Sequence, residues 1–205
     1  MTRFAVLVSG SGTNLQAIID AHRSGDIAGD LALVISNRPE AYALERARGA
    51  GVIAECLDHR AFPNREAYDR ALIATLEAHD ISLIVLAGFM RIFSEVFVNR
   101  YAGKIVNIHP SLLPAFPGIH APERALEAGV KLTGVTVHFV DSGVDTGPII
   151  AQEAVPLSAN ETADSLATKI HRVEHTLYPR VIDLVLRGAV HAEGRHVRID
   201  GEDAE

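Results

Sequence analysis

Phe4-Ala5-Val6-Leu7-Val8-Ser9-Gly10-Ser11-Gly12-Thr13-Asn14-Leu15-Gln16 is the stretch from which the fold is read. An unbroken apolar run over 4–8 suits a strand buried on both faces. Two glycines interrupt it, and a helix follows over 13–22, giving strand, tight turn, helix. The same pattern repeats downstream. Residues 31–35, 52–55, 83–86 and 105–108 read as strands, with helices over 41–47 and 65–79 and a short one between 86 and 105. Strands alternating with helices predict an α/β fold with a doubly wound, mainly parallel sheet and a Rossmann-like front half. After residue 109 the alternation stops. Runs 135–140 and 149–155 are spaced as antiparallel neighbours, and 162–186 reads as a long helix with Leu166, Ile170, Val173 and Leu177 at helical spacing. From Gly188 the chain reads as a short hairpin and frayed acidic residues. With no repeat and no linker, we read one domain over 1–205, with an α/β half at 1–100, a second half at 101–187 and a tail at 188–205.

The first turn carries chemistry of its own. Free N–H groups and the helix dipole make an anion site of a strand-to-helix junction, so Gly12, Thr13 and Asn14 are candidates to hold a phosphate. The dinucleotide fingerprint is incomplete: Leu15 stands where Gly or Ala is expected, and the second strand ends in Asn37-Arg38 without an acid. A single phosphate fits better than a dinucleotide. The plain alternative is a turn capped by Thr13 or Asn14.

Asn107-Ile108-His109-Pro110-Ser111-Leu112-Leu113-Pro114 closes the run Ile105-Val106. Positions i and i+2 of a strand share a face, so Asn107 and His109 offer an amide and an imidazole to one ligand atom while Ile108 points to the core. Pro110 cannot join a sheet ladder, which leaves the pair at an opening. The alternative is a histidine that only caps a strand end. Further on, Asp141-Ser142-Gly143-Val144-Asp145-Thr146-Gly147-Pro148 forms a glycine-rich loop with two carboxylates, either an ordinary hairpin turn or the source of an Asp that orients His109 and favours its imidazolium.

Composition narrows the classes. The 205 residues are 48% hydrophobic and 22% charged, enough to bury a large core. A net charge of −7 speaks against nucleic acid as a partner, which needs clustered Lys and Arg. One cysteine, Cys56, rules out an internal disulfide. The glycines come too early for a signal peptide and no apolar run reaches membrane-span length, so no membrane partner is expected and the location read is cytoplasmic. His171-Arg172-Val173-Glu174-His175 is formally an inverted zincin motif. A zinc site needs a third protein ligand, and the carboxylates from Glu193 onward fall in the tail, so no metal is expected.

Together these residues resemble the phosphoribosylglycinamide formyltransferases of purine biosynthesis, a folate-dependent family, from residue 4 to about Arg187. The resemblance rests on Ser-Gly-x-Gly-x-Asn-Leu-Gln at 9–16, Leu86-Ala87-Gly88-Phe89-Met90-Arg91, the run 107–114, the Asp-x-Gly-x-Asp-x-Gly-Pro loop, and Glu174, His175, Tyr178 and Pro179. It implies transfer of the formyl group of 10-formyltetrahydrofolate, as co-substrate, to the amine of glycinamide ribonucleotide. It implies Asn107 and His109 as donors to the oxyanion, and Asp145 as the group that keeps His109 protonated and oriented. By resemblance, Gly12, Thr13 and Asn14 hold the phosphate and Glu174 accepts from the ribose. Arg65, Met90, Arg91, Ile92, Phe93, Asn107 and the loop over 140–145 take the folate. Nothing specific is implied around His120 to Glu123. Formyltetrahydrofolate deformylase resembles this core but carries an N-terminal regulatory domain, whereas the core here begins at residue 3. Methionyl-tRNA formyltransferase carries a C-terminal domain and a basic face that this sequence lacks, and sugar-nucleotide formyltransferases lack the phosphate-loop pattern. A non-catalytic nucleotide-binding module would not require Asn107, His109 and Asp145 together. The sequence is compatible with a monomer or a homodimer.

Overall fold

The computed structural model describes residues 1–201; the last acidic residues, expected to fray, lie outside the described range. In chain order the elements are β1 (Arg3–Val8), α1 (Thr13–Ser24), β2 (Asp30–Ser36), α2 (Tyr42–Gly49), β3 (Ile53–Cys56), α3 (Arg65–Ala78), β4 (Leu83–Leu86), α4 (Glu95–Arg100), β5 (Ile105–His109), α5 (Ala121–Glu127), β6 (Leu132–Phe139), β7 (Ile149–Pro156), α6 (Ala163–Leu186), β8 (Val190–Glu193) and β9 (His196–Ile199). Strands β1 to β7 form one sheet in the order β3-β2-β1-β4-β5-β6-β7, and β8 pairs with β9 apart from it. The first five strands run parallel; β6 and β7 are antiparallel additions. This is the doubly wound architecture read from the alternation of apolar runs.

The unbroken run of β1 is explained by burial on both faces. Phe4, Val6 and Val8 join the core under α1, α2 and α6, while Ala5 and Leu7 join the one under α3 and α4. Strand order reverses between β1 and β4, and at such a point the connections diverge and leave a crevice at the carboxyl ends of the strands. Helix α6 crosses here. The buried Tyr178 hydroxyl donates toward two carbonyls, Leu86 O at 2.8 Å and Val106 O at 3.0 Å, one on β4 and one on β5.

Two elements differ from the expectation. Strand β6 starts at Leu132 instead of 135, because pairing with β7 runs on to Leu132↔Pro156 whatever the local polarity. Helix α5 occupies residues to which the sequence assigned no element; it is short, with Pro122 in its first turn and His120 at φ 58° before it.

Candidate functional site

Asn107 and His109 stand on β5 beside the crevice, and their cross-strand partners on β6 are His138 and Thr136. Directly opposed residues share a face, so Thr136-x-His138 mirrors Asn107-x-His109. His138 is 2% exposed and was not singled out in the sequence. Its Nδ1 lies 2.8 Å from Phe139 O, which makes Nδ1 the donor and leaves Nε2 to accept from the Asn107 amide nitrogen at 3.2 Å. One amide hydrogen of Asn107 is thereby engaged, and its second hydrogen and its carbonyl remain for a ligand.

Asp145 comes back over this face on a left-handed residue, φ 54°, a costly conformation for a non-glycine residue that concentrates at functional sites. Its Oδ2 lies 3.3 Å from His109 Nδ1 and accepts from the Gly118 N–H at 2.7 Å, and Oδ1 lies 3.7 Å from His138 Nε2. On its other side, His109 Nε2 is 2.9 Å from Phe116 O. Asp141 serves the loop itself: its Oδ1 accepts from Gly143 N and from the Thr146 hydroxyl at 2.6 Å. Gly147 permits the close return, since a Cβ there would sit 1.8 Å from Phe139 O.

The charge of His109 is set by opposed influences: burial lowers its pKa, while the Phe116 carbonyl and the Asp145 carboxylate, one at each ring nitrogen, raise it. For Asp145, burial alone would raise the pKa, but the hydrogen bonds it accepts, among them that from the Gly118 N–H, and the neighbouring His109 outweigh it and lower the pKa.

At the first turn, Gly12 is the N-cap of α1 with φ 75° and no side-chain cap, so neither Thr13 nor Asn14 fills that role. The glycine is required twice over, because a Cβ would also meet the Ala43 Cβ at 2.7 Å. The Asn14 amide donates to Glu174 Oε2 at 3.0 Å, and its Oδ1 is buried without a partner. Burial, only partly opposed by that amide, pushes Glu174 up to about 7. The carboxyl therefore keeps its proton in the native state between about 4.5 and 7, where the unfolded chain has released it, and stability falls as pH rises through that window. Glu174→Gln should abolish this slope. The stability difference between parent and variant, from urea unfolding at pH 5 and pH 8, should change by about 3 kcal/mol.

The remaining candidates divide into two places. Met90, Arg91, Ile92 and Phe93 lie on the irregular segment between β4 and α4, with Met90 and Ile92 exposed. Arg91 stacks over the Tyr68 ring at 4.6 Å, and exposed Arg65 opens α3 three residues earlier. On α6, the exposed His171 and His175 rings stack 6.0 Å apart while Glu174 is buried against Asn14. The two imidazoles and the carboxylate do not converge, and among the described residues no group of three or more His, Cys, Asp or Glu could hold a metal. No helix of the described residues is long and apolar enough to cross a membrane.

Residues 2–182 match the model of the formyl transferase family. The chain belongs to that family. Among its relatives, the phosphoribosylglycinamide formyltransferase of Escherichia coli (strain K12) is 45% identical over 197 residues, which is 96% of this chain and 93% of that protein. A crystal structure of glycinamide ribonucleotide transformylase 1 from Symbiobacterium toebii superposes with a TM-score of 0.95 at 52% identity, covering 97% of this chain and 94% of that one. The trifunctional purine biosynthetic protein adenosine-3 of Drosophila melanogaster is 50% identical over 188 residues, and the match spans 91% of this chain but only 14% of that protein. The chain thus matches a protein of about its own length and a small part of a much longer one.

Proposed function

We propose that this chain transfers the formyl group of 10-formyltetrahydrofolate to the amine of glycinamide ribonucleotide, as a step of purine biosynthesis in the cytoplasm. The observation that carries the reading is the convergence of Asn107, buried His109 and Asp145 beside the crevice, in a chain that matches nearly the whole of a named formyltransferase. The substrate amine attacks the formyl carbon, a C–N bond forms, and charge collects on the formyl oxygen. The free Asn107 N–H donates to that oxygen, together with His109. The attacking nitrogen then gives up a proton. His109 relays it to the folate nitrogen as the bond from that nitrogen to the formyl carbon breaks, while Asp145 orients the ring and favours its charged form.

In this reading the 1–100 half presents backbone N–H groups of Gly12, Thr13 and Asn14 to the phosphate, with Glu174 reaching over from α6 to the ribose. The 101–187 half supplies the reacting groups and the 140–145 loop for the folate, which also lies along Met90 to Phe93 toward Arg65. The chemistry uses no metal. The deciding experiment supplies 10-formyltetrahydrofolate with and without glycinamide ribonucleotide. Consumption only with the ribonucleotide, with formylglycinamide ribonucleotide formed, supports the transferase; folate deformylation without an acceptor supports a deformylase instead.

A further inference from the structure

The strip over 88–94 has no helix or strand to hold it, yet it keeps Met90 and Ile92, 61% and 57% exposed, facing outward. Left to itself, such a segment gains by turning those side chains inward. Two buried side chains from other elements oppose this by taking its backbone N–H groups. Near its start, the Met90 N–H donates to Ser9 Oγ at 2.8 Å, and the Ser9 hydroxyl in turn donates to Asn37 Oδ1 at 2.6 Å. At its far end, the Ser94 N–H donates to Asp69 Oδ2 at 2.6 Å. Ser9, Asn37 and Asp69 are 5%, 1% and 1% exposed. Between the clamps, Phe93 stacks on Phe89 at 5.4 Å and on Phe97 at 4.1 Å, which fixes the underside.

We infer that Ser9 and Asp69 are positioning residues that preorganise this strip as a ready-made apolar wall for the flat ring system of the folate. The inference rests on the folate reading proposed above. A wall ordered before binding spares the complex the entropy of ordering it, so the clamps act on folate affinity and leave the bond-making residues of β5 untouched. Asp69 belongs to α3 and Ser9 directly follows β1, so neither need touch a ligand to do this.

The test is steady-state kinetics and thermal melting of Asp69→Ala, Asp69→Asn and Ser9→Ala. Asp69→Ala should raise the folate KM by about tenfold, with kcat and the ribonucleotide KM within about twofold of the parent. Asp69→Asn keeps an acceptor for the Ser94 N–H and should restore the folate KM, while Ser9→Ala should raise it as Asp69→Ala does. An unchanged folate KM in both alanine variants overturns the inference, as does a joint rise of both KM values that Asp69→Asn fails to rescue. Arg91→Ala separates this failure from that of the folate reading: if it too leaves the folate KM unchanged, the strip does not bind folate and the inference falls with that reading.

Discussion

Asp145→Asn should lower kcat by about 10²–10⁴ while changing either KM by no more than roughly threefold. The shape is kept, so the Gly118 N–H still finds an acceptor, but the charge that steadies His109 as it takes up a proton is gone. The His109 pKa, already below its ordinary value through burial, should fall further, because Asp145 is one of the two groups that raise it. Asp141→Asn provides the contrast. Its carboxylate accepts only from Gly143 N and Thr146 Oγ1 within its own loop, and an amide oxygen can take over both bonds, so kcat should fall by less than about tenfold. Kinetics of both variants with an NMR titration of His109 check this. A more damaging Asp141→Asn, or a His109 titration unmoved by Asp145→Asn, would remove the proposed pair.

Asn107→Ala should reduce kcat by about 10²–10³, the usual loss when one preorganised oxyanion donor is removed. Asn107→Asp should do no better although it is nearly isosteric. A carboxylate has no hydrogen to give the oxyanion, and it sets an acceptor against the Nε2 lone pair of His138, whose other nitrogen is committed to Phe139 O. Single-turnover rates of the two variants test this: a fast Asn107→Asp enzyme would mean that donation from this amide is not what stabilises the transition state.

The front of the fold was legible because both-face burial leaves an unambiguous mark. Runs such as 4–8 and 83–86 are too apolar to be anything but interior strands, and the two cores on either side of β1 account for them. His138 escaped for the converse reason. It lies inside an apolar run and its importance comes from its partner across the strand, so only the register Asn107↔His138 reveals it. The repeat of a polar pair at i and i+2, Thr136 and His138 against Asn107 and His109, was the available signal. Asp145 does meet His109, at 3.3 Å, and raises its pKa, whereas the opposing desolvation depends on how deeply the side chain is packed, which no spacing reports. The Asn14 side-chain amide meets Glu174, 160 residues further along the chain, a contact that no local spacing reports.

The Tyr178 hydroxyl has a bearing on how the molecule is made. The carbonyls it meets belong to residues 92 and 72 positions earlier, so β4 and β5 leave the ribosome well before the ring that joins their ends. At about 5–20 residues per second, the seam between them stays wet for about 4–14 s of synthesis. During that interval the nascent sheet is an unfinished surface suited to chaperone capture. Docking of the last long helix is then the event that turns a growing chain into a catalyst.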